Sequence, residues 1–177
     1  MSHLLEKFIH CPVCGSPYFK NNDEKSRRCH ECGFVYYLNP SSAYVALIYN
    51  EQGQLLVVRR QCEPARGTLD LPGGFADIGE TAEEGVAREV LEETGLEIVH
   101  TKYLFSLPNT YLYSGFNIPT LDMFFRCEVR DISTLQAHDD AAECIWLHPL
   151  EIDPKLFGLT SIRMGVERIL SSEFWSL

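Results

Sequence analysis

A chain of 177 residues with 45% hydrophobic side chains carries enough apolar surface for one ordinary core plus a small appendage. Its formal net charge of −10 argues against broad polyanion binding through clustered Lys and Arg, while a small anionic substrate stays compatible because a bound metal can reverse the local field. No apolar run approaches the roughly 20 residues that span a bilayer, and the opening MSHLLEKFIH lacks the basic-then-apolar layout of a secretory signal, so the expectation is a cytoplasmic protein without a membrane partner.

Two C-x2-C pairs come first, Cys11-Pro-Val-Cys14 and Cys29-His-Glu-Cys32. Four thiolates at this spacing form a closed tetrahedral Zn²⁺ site with no open position for chemistry. Gly15 and Gly33 each follow a second cysteine, where a tight knuckle turn suits them. The polar stretch from Lys20 to Arg28 forms the hairpin tip between the knuckles. Two disulfides are the alternative, which a reducing compartment disfavours. His10 and His30 flank a complete ligand set, and Cys62, Cys127 and Cys144 are expected as free thiols. Residues 1–36 hold too few apolar side chains to fold without such a staple, and residues 37–177 form the main domain. Lys20, Lys25, Arg27 and Arg28 make the ribbon mildly basic, but Asp23, Glu24 and Glu31 dilute the patch, so nucleic-acid binding is not the leading expectation.

Asn39-Pro40 signals a turn into the main domain. Strands are predicted over 43–49 and 54–59, joined by Asn50-Glu-Gln-Gly53. Arg59, Arg60 and Arg66 follow, and in so acidic a chain they are candidates for phosphate contacts through forked guanidinium hydrogen bonds; a solvated charge cluster is the alternative. Gly67 to Gly74 runs a short strand into a loop whose Pro72-Gly73-Gly74 lets backbone approach a ligand. Phe75 and Tyr37 either stack a base or serve packing.

A helix follows, with Thr81 and Glu84 at capping-box spacing and Gly95 where a left-handed residue ends it. Ala82, Val86, Ala87, Val90 and Leu91 share its apolar half. Glu89, Glu92 and Glu93 lie three and four positions apart, so their carboxylates can converge. Gly85 shares that acidic face, and a glycine inside a helix implies a close approach there. Hard divalent ions, which prefer carboxylate oxygens, would turn the mutual repulsion into attraction; a solvated amphipathic surface is the alternative. Strands are then predicted over 98–105, 121–129 and 144–147, and a helix over 160–174 with Ile162, Val166, Ile169 and Leu170 on one side.

From Gly74 to Leu96 the chain reads G-x5-E-x7-R-E-U-x-E-E-x-G-U, with U a bulky apolar residue. This resembles the signature of the Nudix hydrolases at every defined position. The resemblance implies an α+β fold, the Nudix α/β/α sandwich with a mixed β-sheet, here preceded by a four-cysteine zinc ribbon. That pairing is similar to the NADH pyrophosphatase and ADP-ribose pyrophosphatase branch, which also carries an S-Q-P-W-P-F-P-x-S segment. Here Ser106, Pro108 and Ser114 agree with it, Tyr111 stands for the aromatic residue, and Asn109 stands where the family has tryptophan. A Tyr-rich loop is expected there, with Tyr111 able to stack a nicotinamide, adenine or flavin ring.

The resemblance also implies the site. Mg²⁺ or Mn²⁺ would be held by Glu89, Glu92 and Glu93, with the Gly74 carbonyl and either Asp140 or Glu143 from the acidic stretch 139–143. Arg88 would orient the carboxylates and Glu80 support them. Glu92 is the first choice of general base, with Asp140 and Glu143 as alternates. The expected reaction is metal-dependent hydrolysis of the diphosphate bridge in NADH, ADP-ribose, FAD or a related small dinucleotide, or in the capped end of an RNA bearing NAD. A homodimer is a family-level expectation. The competing reading is a non-catalytic nucleotide sensor whose ribbon touches nucleic acid or a partner.

Overall fold

The computed structural model describes residues 5–138 and 140–171. The chain forms two compact units, Met1–Pro40 and Ser41–Leu177. The division falls beyond residue 36 because Tyr37 pairs with Ser26 in the first unit's sheet. Tyr37 therefore belongs to the first unit.

That unit is a three-stranded antiparallel sheet of β1 (Phe19–Asp23), β2 (Ser26–Cys29) and β3 (Val35–Tyr37). The β1–β2 turn is tied by the Asp23 carboxylate, which accepts from the Lys25 amide. Phe19, Cys11 and Cys29 form its buried cluster, flanked by Phe34 and Tyr36, and Leu5 is buried as well.

The second unit begins with β4 (Ser41–Ile48), β5 (Leu55–Arg60) and β6 (Leu69–Asp70). Helix α1 (Ala82–Thr94) precedes the long strands β7 (Ile98–Tyr113) and β8 (Phe116–Val129). Strand β9 (Ala141–Leu147) and helix α2 (Thr160–Leu170) complete it. One sheet runs β4-β8-β7, with β4 parallel to β8 and β8 antiparallel to β7; the other runs β6-β5-β9.

From Tyr44 to Ile48, β4 is buried on both faces, as a central strand covered twice must be. Tyr44, Ala46 and Ile48 pack with Val86 and Val90 of α1, whereas Val45 and Leu47 pack with Ile162, Val166 and Ile169 of α2. Since successive residues face opposite sides of a strand, the helices lie on opposite faces. This is the helix–sheet–helix sandwich expected. The predicted continuation of α2 over 172–174 lies outside the described residues. Among those described, no helix is long and apolar enough to cross a membrane.

The segment expected as a Tyr-rich loop is instead strand. β7 continues to Tyr113 and pairs with β8 down to Tyr113↔Phe116. Between them Ser114 and Gly115 both take positive φ, 48° and 75°, which matches strand twist in a two-residue hairpin turn.

Helix α1 starts on a complete capping box between Thr81 and Glu84 and ends on Gly95 at φ 68°. Its buried side is narrower than predicted: Val86 and Val90 are covered, while Leu91 is 52% exposed because it points about 100° away from Val90. The approach implied at Gly85 is the ring of buried Tyr44, which a Cβ there would meet at 2.0 Å. That ring is wedged edge-on against Phe125 and has little room to yield. Gly85→Ala should therefore lower stability by about 1–3 kcal/mol through overpacking, despite alanine's advantage of about 1 kcal/mol in a helix interior. Thermal unfolding checks this, and an unchanged Tm would show that Tyr44 gives way.

Candidate active site

A cavity of about 320 Å³ is lined by the loop 73–77, the acidic side of α1 and the β7–β8 hairpin, with further residues from β4, β5, β6 and α2. Glu89, Glu92 and Glu93 all line it, and so does Asp140. Arg88 is the hub of the acidic wall. Its guanidinium reaches Glu80 at 2.9 Å, Glu89 at 2.8 Å and Glu92 at 3.0 Å, and donates to the Phe75 carbonyl at 3.1 Å. These bonds hold Glu80 below the usual carboxylate range, and the Asp77 amide, which also donates to it, adds to the effect.

Arg88 engages Oε1 of Glu89 and Oε2 of Glu92, so each keeps an oxygen with no hydrogen-bond partner among the described residues. Glu93 is more isolated. It is 8% exposed, and its Oε2 accepts from the Gly73 amide at 3.0 Å. Burial pushes its carboxyl up to about 8 against the pull of that amide, with Asp70, Glu89 and Asp140 adding to the rise. Burial raises Glu89 as well, with Arg88 opposing.

The glycine loop fits this wall because it brings bare backbone. A Cβ on Gly74 would stand 2.4 Å from the Glu89 carboxylate, and one on Gly73 would stand 2.0 Å from the Tyr44 carbonyl. The Gly74 carbonyl accepts from the Tyr44 amide at 2.8 Å, which uses one of its two lone pairs. A bare loop, a nearly buried carboxylate with no ion pair among the described residues, and oxygens left open on Glu89 and Glu92 suit a hard divalent ion.

Not every candidate gathers here. Glu143 pairs with Arg59 at 3.1 Å, both half-exposed and outside the cavity lining, because they sit opposite each other on β9 and β5. Asp140 is thus the carboxylate of that stretch that reaches the cavity, and Asp139 lies outside the described residues. Arg66 is exposed and absent from the lining. Arg60 lines the cavity but spends its donors on Asp70, the Pro64 carbonyl and the Tyr111 hydroxyl, bracing the aromatic wall. In that wall Phe75 and Tyr111 meet edge to face, 5.2 Å between centroids.

Sequence reasoning missed two buried acids in the cavity wall, Asp70 and Asp122. Each is flanked in sequence by apolar neighbours, Leu69 and Leu71 or Leu121 and Met123. A lone charge within an apolar strand run was the available signal.

In the first unit the four thiols Cys11, Cys14, Cys29 and Cys32 lie within 4.8 Å of one another, and among the described residues they alone form such a close ligand group. Cys11 and Cys32 sulfurs stand 3.7 Å apart, and Cys14 and Cys29 sulfurs 3.6 Å. A tetrahedron of Zn–S bonds of ~2.3 Å has edges of about 3.8 Å, so the cluster fits structural zinc. None of the seven cysteines is in a disulfide.

The second unit is thus a helix–sheet–helix sandwich that sets a carboxylate-bearing helix against a glycine loop. Residues 38–164 match the NUDIX domain, and the chain belongs to the Nudix family. Over 106 residues it is 31% identical to a Vibrio cholerae protein named NAD-capped RNA hydrolase NudC, a match spanning 60% of this chain and 39% of that one. A Chromobacterium violaceum protein of the same name is 36% identical over 106 residues, covering 58% and 39%. The chain thus spans about two fifths of the length of these relatives. A NUDIX hydrolase structure from Nitrosomonas europaea superposes with a TM-score of 0.70 at 24% identity, over 91% of this chain and 89% of that one, and shares the fold. A MutT protein from Methanosarcina mazei superposes with a TM-score of 0.59 at 27% identity, over 75% and 95%.

Proposed function

We propose that this chain is a Mg²⁺- or Mn²⁺-dependent pyrophosphohydrolase that cleaves the diphosphate bridge of a nucleoside diphosphate derivative such as NADH, ADP-ribose or FAD. The observation that carries this reading is Glu93, a nearly buried carboxylate in a cavity wall shared with Glu89, Glu92 and Asp140, which Arg88 does not reach. A charge so placed is costly unless something neutralises it. Glu89, Glu92, Glu93, Asp140 and the Gly74 carbonyl would hold the ions, which when bound neutralise the diphosphate and make a water nucleophilic at neutral pH.

The protein's own groups do the rest. Glu92, half-exposed at the acidic wall, accepts the proton of the attacking water, with Asp140 as the alternate base. Arg88 keeps Glu89 and Glu92 aimed, and Glu80 anchors Arg88. Phe75 and Tyr111 supply flat apolar surface for a base. Attack on one phosphorus expels the other nucleoside phosphate, so positioning and charge stabilisation supply the rate. In the first unit the four cysteines would hold one structural zinc.

The name borne by the curated relatives supports including an NAD-capped RNA end among the substrates. A panel of NADH, NAD⁺, ADP-ribose, FAD and a short NAD-capped RNA, with and without Mg²⁺, is expected to yield mononucleotides by mass spectrometry only when the metal is present. Absence of turnover on every member would reject the enzyme reading.

A further inference from the structure

On the hairpin side of the cavity, opposite the carboxylates of α1, a second polar group is built around a single buried acid. Asp122 is 4% exposed. Its carboxylate accepts from the Thr120 hydroxyl at 2.6 Å, from the Ser161 hydroxyl, and from the Asn109 side-chain amide nitrogen at 3.1 Å. The register explains the meeting: Asn109 pairs with Thr120, and Asp122 lies two residues along β8 on the same face.

An amide can be turned either way about its last bond, and what it faces decides which way. A carboxylate only accepts, so it holds the NH₂ end of Asn109 and fixes the flip. The carbonyl oxygen and the second N–H of Asn109 are then left as an acceptor and a donor in a fixed order. Asn109 and Asp122 both line the cavity, as do the Phe75 and Tyr111 rings.

We propose that Asn109, locked by Asp122, is the base-reading residue of this site and selects adenine. This deepens the hydrolase reading above and rests on it for the identity of the substrate. Adenine offers an amino donor beside a ring nitrogen acceptor, the complement of an asparagine amide. Hypoxanthine reverses that order on one edge and presents two acceptors on the other. A flat base on the aromatic wall meets the amide from one direction, so the fixed order discriminates between the two. Asp122 is a positioning residue: it acts through Asn109.

The test is calorimetric binding of AMP, IMP and nicotinamide mononucleotide to the zinc-loaded full chain, alongside hydrolysis of ADP-ribose and its inosine analogue. The wild-type protein is expected to prefer AMP over IMP by on the order of tenfold to a hundredfold. Asn109→Ala should bring the two within about threefold while leaving the melting temperature close to wild type. Asp122→Asn frees the amide to turn, and should narrow the ratio by raising affinity for IMP, a change that mere loss of packing would not produce. An undiminished AMP preference in Asn109→Ala overturns the proposal, as does a loss confined to nicotinamide mononucleotide. Selective AMP binding without cleavage of any dinucleotide would sink the hydrolase reading and leave this one standing; cleavage without base preference would do the reverse.

Discussion

Glu93→Gln is expected to lower turnover on the order of a thousandfold while leaving the metal-free protein as stable as wild type or more so. The two side chains have nearly the same shape. Glutamine can still offer a carbonyl oxygen to the Gly73 amide, which Glu93 meets at 3.0 Å, so the glycine loop stays in place. What disappears is the charge. In the folded chain that charge is unfavourable: burial drives the carboxyl up to about 8, and Asp70, Glu89 and Asp140 push the same way. At neutral pH the metal-free carboxyl must therefore take up a proton as the chain folds, a cost of about 1–3 kcal/mol that glutamine avoids, which is a rise of a few degrees in Tm for a domain of this size. Loss of activity alone would suit many residues, whereas loss of activity with a gain in stability marks a group held in place for its function. Adding Mg²⁺ should raise the Tm of the wild type by mass action and leave that of the variant nearly unmoved. Turnover above a tenth of wild type, or an equal Mg²⁺-induced shift, would move the essential charge to another residue.

How far the sequence revealed this site depends on the range of the interactions. The capping box of Thr81 and Glu84, the left-handed Gly95 and the spacing of Glu89, Glu92 and Glu93 are set within a few turns of one helix, and each is legible from local spacing. The hairpin turn at Ser114-Gly115 is equally local, yet the proline at 108 and the polar residues around it masked a strand that the pairing with β8 enforces. The arginines were the hardest. Arg59 finds Glu143, 84 positions away, and Arg60 finds Asp70 and, across the cavity wall, Tyr111. No local pattern separates an arginine awaiting phosphate from one already engaged; only the register of β5 against β6 and β9 does that.

The same register explains why Asp70 and Asp122 went unread. A carboxylate between leucines reads as a break in an apolar strand, but both acids sit where the sheet opens into the cavity, and each is supplied with donors. Asp70 receives Arg60 and the Leu71 amide, and Asp122 receives three side-chain donors. Fully supplied buried acids of this kind fix the positions of the groups that bond to them. Asp70 steadies Tyr111 through Arg60, and Asp122 orients Asn109. The cavity is thus lined by acids of two kinds: those of α1 with oxygens left open, and Asp70 of β6 and Asp122 of β8, which are spent on holding other residues still.

Cys29→Ser should abolish zinc binding and unfold the first unit. Cys29 is fully buried and clusters with Phe19 and Cys11; of the unit's other described apolar residues, Leu5 is also fully buried. So small a core cannot offset the entropy of ordering the strands around it. A structural zinc, at about 10–16 kcal/mol in small four-ligand domains, can. A serine hydroxyl is a poor replacement because the ligand is a thiolate, and the three remaining sulfurs lose the closed tetrahedron that their 3.6–3.7 Å spacings describe. Elemental analysis is expected to find one zinc per wild-type chain and less than about a tenth of that in the variant. Limited trypsin digestion should then cut at Lys20, Lys25, Arg27 and Arg28, which lie in the β1–β2 hairpin of the folded unit. Cys62→Ser is the control: its thiol is exposed and outside the cluster, so zinc content and the digestion pattern should stay as in the wild type. A Cys29→Ser protein that keeps stoichiometric zinc and resists trypsin would show that the unit holds together by other means.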